Sequence, residues 1–116
     1  AEHDSLVAHT SHFLHLIAPA ALNVALQPEN AAAGTAGAFR DVTRIAAGST
    51  QMWLEILQQN RDMILKCADE FRGEFDRFVQ ALAQNDWPTM TELLEAARAK
   101  RLDWECEWSK RRNNQA

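Results

Sequence analysis

The chain has 116 residues, 47% of them hydrophobic and 24% charged, with a formal net charge of -4. That length suits one domain around a single core, and the acidic balance excludes a general nucleic-acid binder, which would be basic. Alanine, leucine, glutamine and glutamate dominate while Tyr is absent, a bias toward helix and away from sheet.

The first predicted helix covers residues 4–26. Its apolar side chains (Leu6, Val7, Phe13, Leu14, Leu16 and Ile17 among them) lie on nearly all sides, as in a helix buried by several neighbours. Pro19 should kink or divide it, because the ring removes one backbone hydrogen bond. The run from Phe13 to Leu26 is interrupted by His15, Pro19 and Asn23, too polar and too short for a bilayer span. The opening Ala-Glu-His-Asp has no basic stretch of the kind that starts a signal peptide. It also lacks an initiator Met, so the chain is expected to be processed or cut from something longer.

Residues 27–35 read as a loop, stopped by Pro28, Glu29 and Asn30. A short second helix follows over 37–47, with Phe39, Val42, Ile45 and Ala46 at three- and four-residue spacing. Gly48 ends it, and Ser49 or Thr50 can cap the next. The third segment, residues 51–84, carries one apolar stripe from Met52 to Leu82 and no proline. As a continuous helix it would extend about 50 Å, longer than a domain of this size is wide, so part of it should pack on another chain or domain. Asp86 is the expected N-cap of a final helix, with Pro88 in the tolerant first turn. That helix carries Met90, Leu93, Leu94, Ala97, Leu102, Trp104 and Trp108 and should fold back against the third. No alternating strand pattern and no repeat is visible. The fold class is all-α, a helical bundle with one long central helix, and the tryptophans read as structural.

Cys67 and Cys106 belong to no CxxC cluster. Cys67 falls in the apolar stripe and reads as a small core residue; cysteine usage of this kind fits a reducing, cytoplasmic setting. All four histidines (His3, His9, His12, His15) lie in the first fifteen residues. Steps of three spread the last three over an arc of about 120°. With Asp4 or Glu2 such an arc could hold a metal, but no HExxH or Glu-x-x-His pairing is present, so no metal site is assigned. Asp41 and Arg44 are three apart, and Arg40 and Arg44 four apart, on one helical face. From spacing alone this is a surface ion pair of little worth; the sharper reading is an arginine clamped to meet a carboxylate.

Taken together, Ser11-His12-Phe13-Leu14-His15, the block from Gly37 to Ala46, Met52-Trp53 and Asn60-Arg61, with the early His3-Asp4 pair, resemble the C-terminal helical domain of prephenate and arogenate dehydrogenases. The resemblance runs to about Trp104. Two departures are Leu14, where the family usually has proline, and Gly37-Ala38, where it usually has a longer glycine run. The resemblance implies a dimerisation domain of the 6-phosphogluconate dehydrogenase C-terminal-like type. It also implies a partner domain N-terminal to this one, a Rossmann fold that holds NAD or NADP and supplies the catalytic histidine. The implied reaction is oxidative decarboxylation of prephenate to 4-hydroxyphenylpyruvate, or of arogenate in relatives, on the route to tyrosine. In this chain the implied substrate contacts are His15 and Arg44, with Asp41 holding Arg44 and with Gly37 and Trp53 lining or supporting the region. No catalytic and no cofactor-binding residue is assigned here, and the chain alone is expected to be inactive. Residues 1–116 are read as one helical domain that pairs as a homodimer. The rivals are a stand-alone helical interaction module and the helical half of another Rossmann-type dehydrogenase.

Overall fold

The structure is a computed structural model that describes residues 2–115. It is all-helical, with no strand among the described residues. The elements are α1 (Glu2–Val7), a π-helical turn (Ala8–His12), α2 (Leu14–Ala25), a 3-10 turn (Ala31–Gly34), α3 (Gly37–Thr43), a second 3-10 turn (Arg44–Ala47), α4 (Thr50–Gln59), α5 (Arg61–Ala83) and α6 (Trp87–Gln115). The chain divides into two compact units, one up to Phe71 and one from Arg72 onward, with α5 contributing to both.

In the first unit, the expected opening helix is not divided at Pro19, which sits inside an unbroken α2. The irregularity lies earlier, where Phe13 N–H donates to the Ala8 carbonyl at 3.1 Å in an i to i−5 step. Such a step shifts the main-chain register. Side chains add donors to the carbonyls just before it: Asn60 Nδ2 donates to the Asp4 carbonyl at 2.9 Å, His9 Nδ1 to Ser5 at 2.7 Å, and Thr10 Oγ1 to Leu6 at 2.9 Å. The turn also presents Ala8, fully buried, to Ile64 and Cys67 on α5, with Phe13, Leu57 and Met63 around them. A residue with a larger side chain could not bring the two backbones this close.

The expected third helix is not continuous. It breaks at Asn60 (φ -117, ψ 28) into α4 and α5. The cause is tertiary, since the Asn60 amide is engaged by Asp4 and His12 on the N-terminal helix. The second helix forms where expected but tightens to 3-10 geometry at Arg44. Ser49 caps α4, its hydroxyl accepting from Met52 N–H at 3.3 Å. The expected burial of the first helix is also incomplete: Leu6, Val24 and Leu26 stay exposed.

In the second unit, α5 closes on Asn85 in the left-handed region (φ 54). Asp86 N–H donates to Ala81 and Asn85 N–H to Leu82, the paired bonds that satisfy a helix's last carbonyls. Asp86 then caps α6, accepting from Thr89 N–H at 3.1 Å and Thr89 Oγ1 at 2.6 Å. These contacts hold its carboxyl below the usual range. Among the described residues of this unit only Ala81 and Leu93 are buried. From Leu94 to Gln115 every residue of α6 is exposed, Trp104 and Trp108 among them.

Candidate functional site

All five site residues named from sequence lie in the first unit. The local geometry begins at Gly48, the residue that closes the Arg44–Ala47 turn. Its φ of -69 and ψ of 170 are open to any residue, so backbone freedom does not explain a glycine there. Space does: a Cβ would stand 3.1 Å from Trp53 Nε1 and 3.2 Å from Trp53 Cδ1. The missing side chain lets the indole lie against the turn. The indole also stacks on His15, with ring centroids 3.4 Å apart and planes 18° from parallel. His12 meets the same indole edge-on at 6.1 Å.

The histidines are polarised by their helix. His15 Nδ1 is 3.0 Å from the Ser11 carbonyl, which can only accept, so Nδ1 carries the proton and Nε2 is left for a ligand. His12 has the opposite arrangement, because Nδ1 accepts from Asn60 Nδ2 at 3.2 Å. Each of these rings has one nitrogen committed to fixing its orientation. Among the described residues no group of three or more His, Cys, Asp or Glu side chains could hold a metal ion.

An open hollow of about 660 Å³ borders the Arg44–Ala47 turn, lined by Gly37, Phe39, Arg40, Thr43 and Arg44 with Leu22 of α2. Packing of α2 on α3 and on the turn forms its walls. Thr43 Oγ1 donates to the Phe39 carbonyl at 2.6 Å, which turns this polar side chain back onto its own helix. Arg40 and Arg44 are both exposed, and neither makes an ion pair among the described residues. The expected clamp is therefore not made: no hydrogen bond or ion pair joins Asp41 to Arg44. Two adjacent guanidinium groups without carboxylate partners suit an anionic ligand.

The structure thus brings His15 to Trp53, and Gly37 to Arg44, with Gly48 and the turn between the two pairs. Asp41 joins neither. Arg40, His12 and Gly48 are the additions. Arg40 was already marked by its four-residue step from Arg44, without a role; Gly48 had no signal beyond its place at a helix end.

A sequence profile described as "Prephenate dehydrogenase, dimerization domain" matches residues 1–96. The chain belongs to that family. Among curated relatives it is 35% identical over 101 residues to a prephenate dehydrogenase of Bacillus subtilis (strain 168), covering 84% of this chain and 27% of that protein. It is 30% identical over 105 residues to a cyclohexadienyl dehydrogenase of Zymomonas mobilis, covering 86% and 36%. The fold superposes on the crystal structure of Synechocystis arogenate dehydrogenase with TM-score 0.83 at 21% identity, covering 89% of this chain and 39% of that one. It superposes on prephenate dehydrogenase from A. aeolicus, solved with hydroxyphenyl propionate and NAD+, with TM-score 0.78 at 25% identity, covering 87% and 37%. The chain therefore spans roughly a third of the relatives it matches. No helix of the described residues is long and apolar enough to cross a membrane.

Proposed function

We propose that this chain is the substrate-binding and dimerising part of a cytoplasmic, NAD(P)-dependent prephenate or arogenate dehydrogenase, with a Rossmann domain N-terminal to it. The observation that carries the reading is the pairing of a family match over residues 1–96 with a hollow holding two unpaired guanidinium groups. Arg44 takes a carboxylate of the substrate through its planar fork. Arg40, one helical turn earlier, offers charge to a second carboxylate, which matches the dianion prephenate. His15 Nε2 is the acceptor for a substrate hydroxyl, and Trp53 keeps that ring in place. Gly37 leaves the rim of the hollow open, since nothing lies within 4 Å of a Cβ built there.

The reaction itself is oxidative decarboxylation to 4-hydroxyphenylpyruvate, or to tyrosine from arogenate, with hydride passing to the dinucleotide held by the other domain. This chain's part is to bind and orient the anion before that transfer. A charge-assisted fork contributes about 1.5–3 kcal/mol. Arg44→Ala in the intact enzyme should then raise KM for prephenate roughly ten- to a hundredfold, with kcat falling too if orientation is lost. Arg44→Lys should recover only part, because an ammonium cannot pair bidentately. An unchanged KM in Arg44→Ala would overturn the assignment.

A further inference from the structure

Steps of three place His9, His12 and His15 along one stretch of the N-terminal helix. His9 and His15 follow one rule: each Nδ1 donates to the carbonyl four residues back, Ser5 at 2.7 Å and Ser11 at 3.0 Å. His12 departs from it. The carbonyl four residues before His12 belongs to Ala8, and in the π-helical turn it accepts from Phe13 N–H at 3.1 Å. His12 Nδ1 lies instead 3.2 Å from the Asn60 amide nitrogen, 48 positions along the chain.

The second contact of that amide settles which way it faces. Asn60 Nδ2 is also 2.9 Å from the Asp4 carbonyl, which can only accept, so the amide presents its nitrogen to both groups. Its two hydrogens serve Asp4 and His12. His12 Nδ1 is therefore the bare nitrogen, and the proton of the neutral ring sits on Nε2. Two irregularities meet in this one bond: the π-helical turn ends on His12, and the long helix breaks at Asn60. The break still satisfies its backbone, since Asn60 N–H donates to Ile56 and Ile64 N–H to the Asn60 carbonyl, both at 3.1 Å. The Asn60 side chain is thus left to serve the N-terminal helix.

We infer that Asn60 is a positioning residue for the substrate site: by donating to His12 Nδ1 it fixes that ring as an Nε2–H donor beside Trp53. The inference deepens the reading of this region as the site for prephenate or arogenate and rests on it. His12 meets the Trp53 indole edge-on, and His15 stacks on the same indole with the opposite tautomer. The two rings take complementary roles. His15 Nε2 accepts from a substrate hydroxyl, whereas His12 Nε2–H gives a hydrogen bond to a substrate oxygen and has no lone pair there to take a proton. Without the Asn60 donor, His12 is free to adopt its other tautomer. A substrate oxygen would then face a lone pair in place of an N–H, and that bond would be lost.

The tautomer is read directly in the intact enzyme labelled with ¹⁵N at histidine. Long-range ¹H–¹⁵N spectra separate bare from protonated ring nitrogens, and about pH 8 keeps an ordinary imidazole neutral. His12→Gln assigns the signals by removing them. His12 should show a bare Nδ1 and a protonated Nε2, and His15 the reverse. Asn60→Asp sets a carboxylate oxygen against His12 Nδ1, and that nitrogen should become protonated. In kinetics, Asn60→Ala should raise KM for prephenate roughly fivefold, the loss of one hydrogen bond. In a His12→Gln background the same substitution should add nothing, because its effect passes through His12. A protonated Nδ1 on His12 in the wild type would overturn the inference, and that spectrum needs no variant to fold. So would an equal rise in KM in both backgrounds, the result for an Asn60 that only ties down Asp4. An intact enzyme that turns over neither prephenate nor arogenate overturns the site reading and the positioning role with it, even where the spectra show the expected tautomer.

Discussion

Replacing Gly48 by alanine separates two effects that usually travel together. The backbone at Gly48 already lies in a region that alanine adopts freely, so the substitution stiffens the unfolded chain and should stabilise by about 0.4–1 kcal/mol. Against this, the added methyl would stand 3.1 Å from Trp53 Nε1, where ordinary contact begins at 3.4 Å. The indole must give by a few tenths of an ångström. It is confined by the His15 ring, 3.4 Å away and nearly parallel, so it cannot tilt without opening or compressing that stack. Overpacking of this sort costs about 1–3 kcal/mol. The steric cost wins, and Gly48→Ala should be destabilised by about 1 kcal/mol net, a fall in Tm of about 5 °C. Thermal unfolding measures that part. An ¹⁵N correlation spectrum measures the other, because the Trp53 indole N–H resonance should shift. In the intact enzyme KM for prephenate should rise severalfold as His15 loses its support. A raised Tm with an unmoved indole resonance would refute the reasoning, since it would mean that neither the glycine nor the stack constrains Trp53.

Two further outcomes follow from titratable groups. His9 has Nδ1 2.7 Å from the Ser5 carbonyl and Nε2 3.0 Å from Glu70 Oε2, so both nitrogens face acceptors, an arrangement that favours the protonated ring. The Ser5 carbonyl first, then the hydrogen bond to Glu70, raises its pKa above the ordinary value, against burial and the nearby Lys66. Its contribution to stability is therefore complete below about pH 6.5 and is lost as pH rises through the raised value. Glu70→Gln should flatten that slope in denaturant titrations run across the range, and an unchanged slope would rule the contact out. Cys67 is buried and Cys106 exposed, and burial pushes the Cys67 thiol up, with the charge of Glu70 adding to the effect. Under native conditions a thiol reagent should label Cys106 quickly and Cys67 only as fast as the first unit opens; equal rates would contradict the packing of Ala8 on Cys67.

Local chemistry made some elements readable from sequence. Gly48-Ser49 and Asp86 mark helix ends because the atoms that satisfy the free backbone groups are within three residues of them. The break at Asn60 has no such local origin. Its amide is held by a carbonyl 56 residues away in sequence, and asparagine within an apolar helical stripe gives no warning of that. Pro19 is a milder case: a proline marks a lost hydrogen bond, and α2 runs through it without a division. The site shows the same division. Arg40 and Arg44 share a face by spacing alone, whereas the contact of His15 with Trp53 spans 38 positions and was legible only through the family resemblance. Asp41 sits beside Arg44 in sequence, yet the two make no bond.

The distribution of apolar surface gives the strongest reason to regard the chain as one part of an assembly. Among the described residues six are buried, and three of them, Ala8, Ala18 and Ala81, have almost no side chain to contribute. Seventeen large hydrophobic side chains are exposed among the described residues, more than an isolated soluble domain carries without a partner. Within the first unit Leu6, Val24 and Leu26 stand open, and within the second the indoles of Trp87, Trp104 and Trp108 do, so each unit by itself leaves apolar surface for a partner to cover.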